Sequence, residues 1–473
     1  MPLIAWALGL DVKDPRRKSD RGKGGYTMAK KKILFVYPST YDENGRLVKS
    51  GKSLAPSRTL PYLAALTSDR FETRIIDEAV QDVDFDVDID MVALTGMINH
   101  MPRAMDIAAQ FRRRNVTAMI GGVGAYSIRD VIAASGVFDC HVIGEVEAIW
   151  EGILEDFERG QLQPIYQATE SPGLDGLPHA RFDLLDDSRY LRSFVDSSKP
   201  LALVETSRGC PNNCKYCLVT RYFGRKMRYR PVGDVVGEIK RIGARHVMFT
   251  DDNIAINPSR ARELYEALKP LDIEWLGQFE SSIVRQPELL QLAAESGCRT
   301  AFVGIESLDA NALEFVNKPK RDSLPLREIA EGFKAANIIV MGSLMFGLDG
   351  DTAGKIAWTV EQMIAERIDT MIPWIFTPIP GTPLHEEYHA QGRILHDNYS
   401  LYDGVHAVHQ PDRMSPSELE DCYWRGLRRF YRFRAIVPRV LRGKKGRIAE
   451  LAYNLHVHRQ VARSLHPFSG TPA

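Results

Sequence analysis

Short apolar runs alternate with stretches of helical spacing along residues 32–157. The five strand-like runs are 32–37, 72–76, 91–95, 117–120 and 140–143, and the helical stretches are 60–66, 102–113, 128–135 and 148–157. Because strands and helices alternate at this spacing, we predict an α/β domain with a doubly wound parallel sheet.

Glycine recurs where the predicted strands of this first domain end. Open α/β sheets bind ligands at the carboxyl ends of their strands, and glycine lets a ligand approach the backbone because it has no Cβ. These positions also suit an ordinary α/β domain that uses glycine only for its turns. The candidate binding residues at the strand ends are Thr95, Gly96, Gly121, Gly122, Gly144 and Glu145.

The same alternation returns after residue 200 with a different consequence. Six strand-like runs, with five helical stretches between them, occupy 201–204, 246–250, 274–279, 300–305, 338–346 and 371–377. Six parallel strands of this kind predict an open barrel, whose active-site face carries the polar residues at the strand carboxyl ends. Those residues are Asp251, Asp252, Asn253, Glu306 and Ser307.

Three cysteines follow the first strand of this predicted barrel. Cys210, Cys214 and Cys217 have the spacing C-x3-C-x2-C on a tight loop, and Gly209 and Pro211 end the strand there. Thiolates that are close together need a soft cation, such as zinc or an iron–sulfur cluster. A structural zinc site needs four ligands, and no fourth Cys or His is nearby, so a 4Fe-4S cluster with one open iron is favoured. The alternative is three unrelated buried thiols.

This loop resembles the cluster loop of the radical S-adenosylmethionine (SAM) enzymes, in which an aromatic residue, here Tyr216, precedes the last cysteine. The resemblance implies that the open iron binds SAM and that electron transfer cleaves it to methionine and a 5′-deoxyadenosyl radical. It also implies that Asp251, Asp252 and Asn253 meet the SAM amino group, that Glu306 and Ser307 lie at the ribose, and that Tyr216 packs near the adenine. Helix capping is the competing interpretation of these strand-end residues.

The first domain resembles the cobalamin-binding domain that precedes the barrel in some radical SAM enzymes. Its strand–Gly-Gly and strand–Gly-Glu-x-Glu order carries this resemblance, and residues 177–185 resemble the family's connector. Residues 392–395, 399–404 and 413–419 resemble the tail of a group that includes the hopanoid methylases and relatives of the anaerobic magnesium-protoporphyrin ester cyclase. Cobalamin is therefore expected near the strand-end glycines. The D-x-H-x-x-G signature of His-ligated cobalamin is absent, so a domain that has lost cobalamin remains an alternative.

Charge and cysteine usage limit the setting in which the protein works. Lys and Arg total 61, as do Asp and Glu, which gives no support for nucleic-acid binding. Six cysteines do not make a disulfide scaffold, and their use fits a reducing cytoplasm. No apolar run reaches the ~20 residues of a membrane span. The basic, aromatic C-terminal region is either a solvated helix or a contact with a membrane surface that stores an apolar substrate.

These patterns divide the chain into five parts. The predicted parts are a disordered extension at 1–29, a cobalamin-binding-like domain at 30–163, a linker at 164–200, a radical SAM barrel at 201–395 and a helical C-terminal region at 396–473. Within the extension, Met28 looks like a natural start.

The function predicted from the resemblance is SAM cleavage at a 4Fe-4S cluster, with cobalamin-dependent C-methylation of an unactivated carbon. The expected substrate is a hydrophobic small molecule, lipid-like or a secondary metabolite, and the expected electron donor is a flavodoxin or ferredoxin. Radical cyclisation, oxidation or rearrangement is an alternative within the family. An iron–sulfur redox sensor is an alternative from another class, but it needs no SAM pocket. A methylthiotransferase acting on RNA is disfavoured because the N-terminal third has only one cysteine, Cys140.

Overall fold

A computed structural model describes residues 30–53, 55–190, 201–441 and 447–463. The predicted N-terminal extension at 1–29 and the last ten residues of the predicted linker lie outside the described residues. The described residues from Lys31 onward belong to one compact unit, so the domain boundaries given above stay predictions.

The N-terminal part is a parallel six-stranded sheet with helices on both faces. Its strands are β1 (Lys32–Tyr37), β2 (Glu72–Asp77), β3 (Met91–Thr95), β4 (Thr117–Gly121), β5 (Cys140–Ile143) and β6 (Ile165–Gln167). Their order is β2-β1-β3-β4-β5-β6 and every pair is parallel, so the winding reverses between β1 and β3. Doubly wound sheets bind ligands at such a reversal, and the predicted fold of this part is confirmed.

The helices of this part are α1 (Thr59–Leu66), α2 (Met101–Arg112), α3 (Val123–Ser127), α4 (Arg129–Ser135) and α5 (Trp150–Arg159). All five residues of β3 are buried, as expected for a central strand covered on both faces. One strand of this part was not predicted. It is β6, which pairs with β5 and lies inside the stretch that the sequence analysis interprets as a linker. It is short and has a half-exposed Ile165, so its apolar pattern is weak.

The second part is the predicted open barrel. Its sheet order is β14-β13-β12-β11-β10-β7, all parallel, and a small antiparallel pair, β8 with β9, lies beside the sheet. The strands are β7 (Ala202–Val204), β8 (Ser207–Arg208), β9 (Arg228–Tyr229), β10 (His246–Phe249), β11 (Glu274–Glu280), β12 (Cys298–Glu306), β13 (Ile339–Phe346) and β14 (Thr370–Ile375). All six predicted barrel strands are present, and their ends differ from the predicted ones by at most two residues, the usual uncertainty of such boundaries.

Helices cover the outside of this sheet and continue beyond it. They are α6 (Val219–Tyr222), α7 (Val232–Ile242), α8 (Pro258–Leu268), α9 (Pro287–Glu295), α10 (Ala310–Phe315), α11 (Leu326–Ala335), α12 (Ala353–Ala365), α13 (Pro383–Ala390), α14 (Pro416–Phe430), α15 (Phe433–Val440) and α16 (Arg447–Ala462). The Ser415 hydroxyl accepts a hydrogen bond from Glu418 N at 3.1 Å and caps the start of α14. Among the described residues, no helix is both long and apolar enough to span a membrane.

Residues 396–409 join the two parts of the protein. Tyr402 and Val408 are buried in a hydrophobic cluster formed mainly by the N-terminal sheet and α2. On the other side, Ile375 N donates to Gly404 O at 2.7 Å, which fixes the segment to the end of β14. We call residues 396–409 the bridging segment.

Candidate functional site

The three predicted ligand cysteines lie together on the loop between β8 and α6. Cys217 N donates to Cys214 O at 3.2 Å, and Cys210 N donates to Gly224 O at 3.3 Å. Gly209 has φ +93°, and a Cβ there would lie 2.5 Å from Lys226 O, so only glycine fits before the first cysteine. The loop is therefore shaped by its own backbone contacts.

The donor set of this loop fits a cluster better than a single ion. Burial raises the pKa of the Cys210 thiol to about 11 and that of Cys217 to about 12, so a bound cation is needed to hold the thiolate forms. Among the described residues, no three His, Cys, Asp or Glu side chains converge on one metal ion. Cluster cysteines each bind a different iron and need not converge on one point, so three soft ligands on one loop suit a 4Fe-4S cluster.

Asp251 holds the chain that leads into this loop. Its buried carboxylate accepts hydrogen bonds from Thr206 N at 3.0 Å, from Thr206 Oγ1 at 2.7 Å and from the hydroxyl of Ser207. Both carboxylate oxygens are therefore used within the protein. The structure gives Asp251 a positioning role, whereas the sequence interpretation had grouped it with its neighbours as a SAM contact.

Of Asp251, Asp252 and Asn253, the three polar residues after β10, only Asp252 has a side chain without a hydrogen-bond partner among the described residues. It makes no hydrogen bond or ion pair with another described residue, and it lies close enough to Cys210 and Cys217 to influence both electrostatically. Burial raises the pKa of Asp252 to about 7, and the charges of Asp251 and Glu205 add to the shift. Asn253 instead accepts from Ala255 N at 3.1 Å, a local turn contact.

Glu306 ends β12 in a strained conformation that its neighbours maintain. Its φ is +64°, unusual for a residue other than glycine, and Oε1 lies 3.1 Å from Lys318 Nζ and 3.2 Å from the Tyr216 hydroxyl. A Cβ at Gly304 would lie 2.6 Å from that same oxygen. Ser307 makes a local contact, since its hydroxyl accepts from Asp309 N at 3.1 Å.

Lys318 brings a buried positive charge to the cysteine loop. Burial alone would lower the pKa of Lys318, but the Glu306 carboxylate raises it above the ordinary value, so the ammonium form is retained. The side chain is 8% exposed and lies near Cys214. Burial raises the pKa of the Cys214 thiol, and the Lys318 charge offsets part of this rise. The local sequence Asn317-Lys318-Pro319 contains no motif that predicts the place of Lys318 beside the cysteine loop.

A second carboxylate ties the middle of the loop to the barrel. Glu280, at the end of β11, accepts from Asn212 Nδ2 and forms an ion pair with Arg321 at 2.9 Å. Arg321 also donates to Asn212 Oδ1 at 2.9 Å. Asn212 stands between the first two cysteines, so this triad orients the loop toward the strand ends.

A cavity of about 980 Å³ lies between the two sheets. One wall consists of the carboxyl ends of β1, β3, β4 and β5 and includes all six predicted residues, Thr95, Gly96, Gly121, Gly122, Gly144 and Glu145. The opposite wall includes Arg208 and the residues that follow Cys217, namely Leu218 and Val219. The volume is at the upper end of small-molecule pockets, so the cavity suits a large ligand.

The protein's own packing explains part of the glycine pattern. Gly122 has φ +89°, and a Cβ there would lie 2.3 Å from Thr95 Oγ1. Glycine at this position is therefore required by the contact between the ends of β3 and β4, whether or not a ligand is bound. His100, also at the cavity, accepts a hydrogen bond from Met97 N at its Nδ1.

Glu145 belongs to a buried ion-pair network that joins the two sheets, although it was predicted as a cobalamin contact. Its carboxylate pairs with Arg208 at 2.6 Å and with Arg228 at 2.7 Å. Arg208 also pairs with Glu147 and Glu205, and all these side chains are at most 13% exposed. Since Arg208 comes two residues before Cys210, the network fixes the cysteine loop against the N-terminal sheet.

Comparisons with known proteins agree with this arrangement. Residues 204–363 match the model of the Radical SAM superfamily. The chain is 27% identical to the bacteriochlorophyllide d C-12(1)-methyltransferase of Chlorobaculum tepidum over 87% of this chain and 90% of that protein. It is 24% identical to the hopanoid C-2 methylase of Rhodopseudomonas palustris over 78% of this chain and 72% of that protein.

A solved structure shares the fold across both sheets. It is the radical S-adenosylmethionine methyltransferase TsrM from Kitasatospora setae, with cobalamin and a [4Fe-4S] cluster bound. The TM-score is 0.60 at 17% identity, covering 84% of this chain and 82% of that one. The predicted fold class is thus confirmed, as is the predicted resemblance to hopanoid methylases.

Proposed function

We propose that this chain, which is an enzyme of the radical SAM superfamily, catalyses cobalamin-dependent C-methylation of a hydrophobic small molecule. One observation carries the proposal. The cavity reaches from the strand ends of the N-terminal sheet to the residues immediately after Cys217. A methyl carrier in this cavity would therefore be next to a cluster on the cysteine loop.

We propose that Cys210, Cys214 and Cys217 hold the 4Fe-4S cluster and that cobalamin binds in the cavity. When bound, the cluster supplies the electron that cleaves SAM, and cobalamin supplies the methyl group. The strand-end residues Thr95, Gly96, Gly121, Gly122 and Gly144 border the cofactor there. Glu145 then acts through its ion pairs with Arg208 and Arg228, because its carboxylate is already used.

Asp252 is the residue that we propose to bind the SAM amino group. A carboxylate that is buried without a partner is costly, and an ammonium group offsets this cost through a charge-assisted hydrogen bond. Glu306, held by Lys318 and Tyr216, is proposed to accept hydrogen bonds from the ribose hydroxyls. Asn253 and Ser307 support their neighbours through local turns, and Tyr216 lies on the adenine side.

The substrate class is inferred from the relatives. The two similar proteins named above are called a bacteriochlorophyllide methyltransferase and a hopanoid methylase. Both names indicate large, mostly apolar acceptors, so we propose an acceptor of the same character for this chain. We also propose that a flavodoxin or ferredoxin delivers the electron in the cytoplasm.

The test of this function is anaerobic reconstitution of the cluster, followed by addition of SAM, reduced flavodoxin and methylcobalamin. We expect 5′-deoxyadenosine to form and the corrinoid absorption band to stay with the protein after gel filtration. An intact cluster without deoxyadenosine would favour an iron–sulfur sensor. Deoxyadenosine without corrinoid binding would favour cobalamin-independent radical chemistry.

An Asp252→Asn variant should bind SAM about tenfold more weakly, because a charge-assisted hydrogen bond to the amino group contributes about 1.5 kcal/mol or more. SAM affinity can be measured by equilibrium dialysis on the reconstituted protein. The neighbouring Asp251→Asn variant is the comparison, and it should reduce cluster content instead. Equal SAM affinity in wild type and Asp252→Asn would remove Asp252 from the SAM site.

We propose in addition that the protein works at a membrane surface through α15. Phe433, Val437 and Leu441 recur every four residues and are 57%, 49% and 64% exposed. The exposed Arg432 and Arg434 flank them. Basic side chains beside an apolar stripe suit anionic lipid headgroups. The aromatic residues Trp424, Phe430 and Tyr431, which precede this surface along the chain, are buried and take no part in it.

A Phe433→Asp/Leu441→Asp double variant should bind vesicles of phosphatidylglycerol and phosphatidylcholine at least about tenfold more weakly. The reason is that the substitutions remove two apolar side chains that are proposed to insert into the lipid. Flotation through a density gradient measures the bound fraction. Ile165→Asp, at another half-exposed apolar position, should bind vesicles like the wild type. Wild-type protein that fails to float with anionic vesicles would refute the membrane contact.

A further inference from the structure

The bridging segment supplies a third wall of the cavity. Ser400, Asp403 and His406 line it beside the strand ends and the cysteine loop. The resemblance to the hopanoid methylase tail covers Ser400 and Asp403 but gives none of the three residues a role. Their position brings an ionisable pair, Asp403 with His406, to the cavity.

This wall is fixed by both parts of the protein. Tyr402 is 4% exposed within the core of the N-terminal sheet, and Ile375 N bonds to Gly404 O at 2.7 Å. Gly404 has φ +76°, and a Cβ there would lie 2.8 Å from the Trp374 ring. Asp403 and His406 flank this constrained turn, so their side chains are held in place.

Asp403 determines which nitrogen of His406 faces outward. The two Asp403 carboxylate oxygens lie 3.2 Å and 3.0 Å from His406 Nδ1, and Oδ1 also accepts from Val405 N and His406 N. A carboxylate can only accept here, so Nδ1 carries a proton and donates it. Nε2 has no hydrogen-bond partner among the described residues and is the nitrogen left for a ligand.

Acidic groups surround the imidazole. Burial alone would lower the pKa of His406, but the hydrogen bond and charge of Asp403, followed by Glu420 and Glu43, raise it. The side chains of His406 and Asp403 are 16% and 10% exposed. The negative charges of Asp403, Glu420 and Glu43 disfavour an anionic ligand group beside His406, so a neutral polar group is favoured at Nε2.

We propose that His406 Nε2 forms a hydrogen bond with a primary amide side chain of the bound corrinoid. A primary amide has both a donor and an acceptor, so it complements the imidazolium, which donates, and the neutral imidazole, which accepts. This inference rests on the proposed cobalamin site. It assigns the corrinoid a polar contact on the bridging segment, far in sequence from the N-terminal sheet.

The test compares two substitutions at one position. His406→Phe keeps a ring but removes the hydrogen bond, whereas His406→Gln retains a donor and an acceptor. Hydroxocobalamin is titrated into protein with a reconstituted cluster, and binding is followed by absorbance. We expect the Kd to rise about tenfold for His406→Phe, the usual cost of one lost ligand hydrogen bond, and to recover to within about threefold of wild type for His406→Gln.

His389→Phe is the matched control, because His389 is exposed on α13 and outside the cavity. Its Kd should equal that of the wild type. Cluster iron content and the thermal midpoint without corrinoid establish that each variant is folded. Wild-type binding with an unchanged Kd in His406→Phe would overturn the contact and leave the cobalamin site intact. A wild type that binds no corrinoid would overturn both.

Discussion

A Cys214→Ala variant should lower 5′-deoxyadenosine formation by more than about a hundredfold, since even the loss of a residue that only orients a metal ligand costs 10- to 100-fold. The physical reason is that the three thiolates of the cysteine loop are the whole protein ligand set of the proposed cluster. Iron and sulfide content should fall with the activity. Both are measured on anaerobically reconstituted protein.

Cys298→Ala provides the matched control. Cys298 is fully buried on β12 and its thiol contacts Thr300 O at 3.7 Å, away from the cysteine loop. This variant should keep its iron content and SAM cleavage. A Cys214→Ala protein that still holds a full cluster and cleaves SAM would exclude Cys214 as a ligand.

A Glu145→Ala variant should lower the free energy of unfolding by about 3 kcal/mol, because breaking a buried ion pair leaves uncompensated charge. Two guanidinium groups, those of Arg208 and Arg228, lose this partner. Arg208 keeps Glu147 and Glu205, which places the loss at the lower end of the usual range. Urea denaturation of the cofactor-free protein measures the change.

Glu155→Ala tests whether the effect is specific to the buried network. Glu155 pairs with Arg159 on the surface of α5 at 3.1 Å, and both side chains are well exposed. Screened surface pairs contribute little, so the urea midpoint should stay at the wild-type value. Equal stability of Glu145→Ala and Glu155→Ala would show that the network is not a source of stability.

The sequence predicts most strands of the two sheets because most of them are short apolar runs that end at glycine, proline or a polar residue, whereas β6 has a weak apolar pattern and was missed. The cysteine loop was predicted for a similar reason, since its ligands are close in sequence. The six cavity residues of the N-terminal sheet were found because parallel strands place their carboxyl ends at one edge. All of these signals are local.

The residues that sequence reasoning missed act through distant partners. Lys318 reaches Glu306, Arg321 reaches Glu280, and His406 borders a cavity whose other walls are hundreds of residues earlier in the chain. No spacing rule connects such positions. For Asp251 and Asp252, adjacency suggested a shared role, but the strand places one carboxylate toward Thr206 and the other toward the cysteine loop.

The bridging segment also affects how the protein folds during synthesis. The hydrophobic cluster above the N-terminal sheet includes Tyr402 and Val408, which are made more than 230 residues after β5 (Cys140–Ile143). Chains grow from the N-terminus, so this apolar surface stays uncovered until the barrel has emerged. Contacts of such long sequence separation form late and slowly. The first domain to be synthesised therefore has its core completed only after all the barrel strands have been made, and the cavity closes only when most of the chain is present.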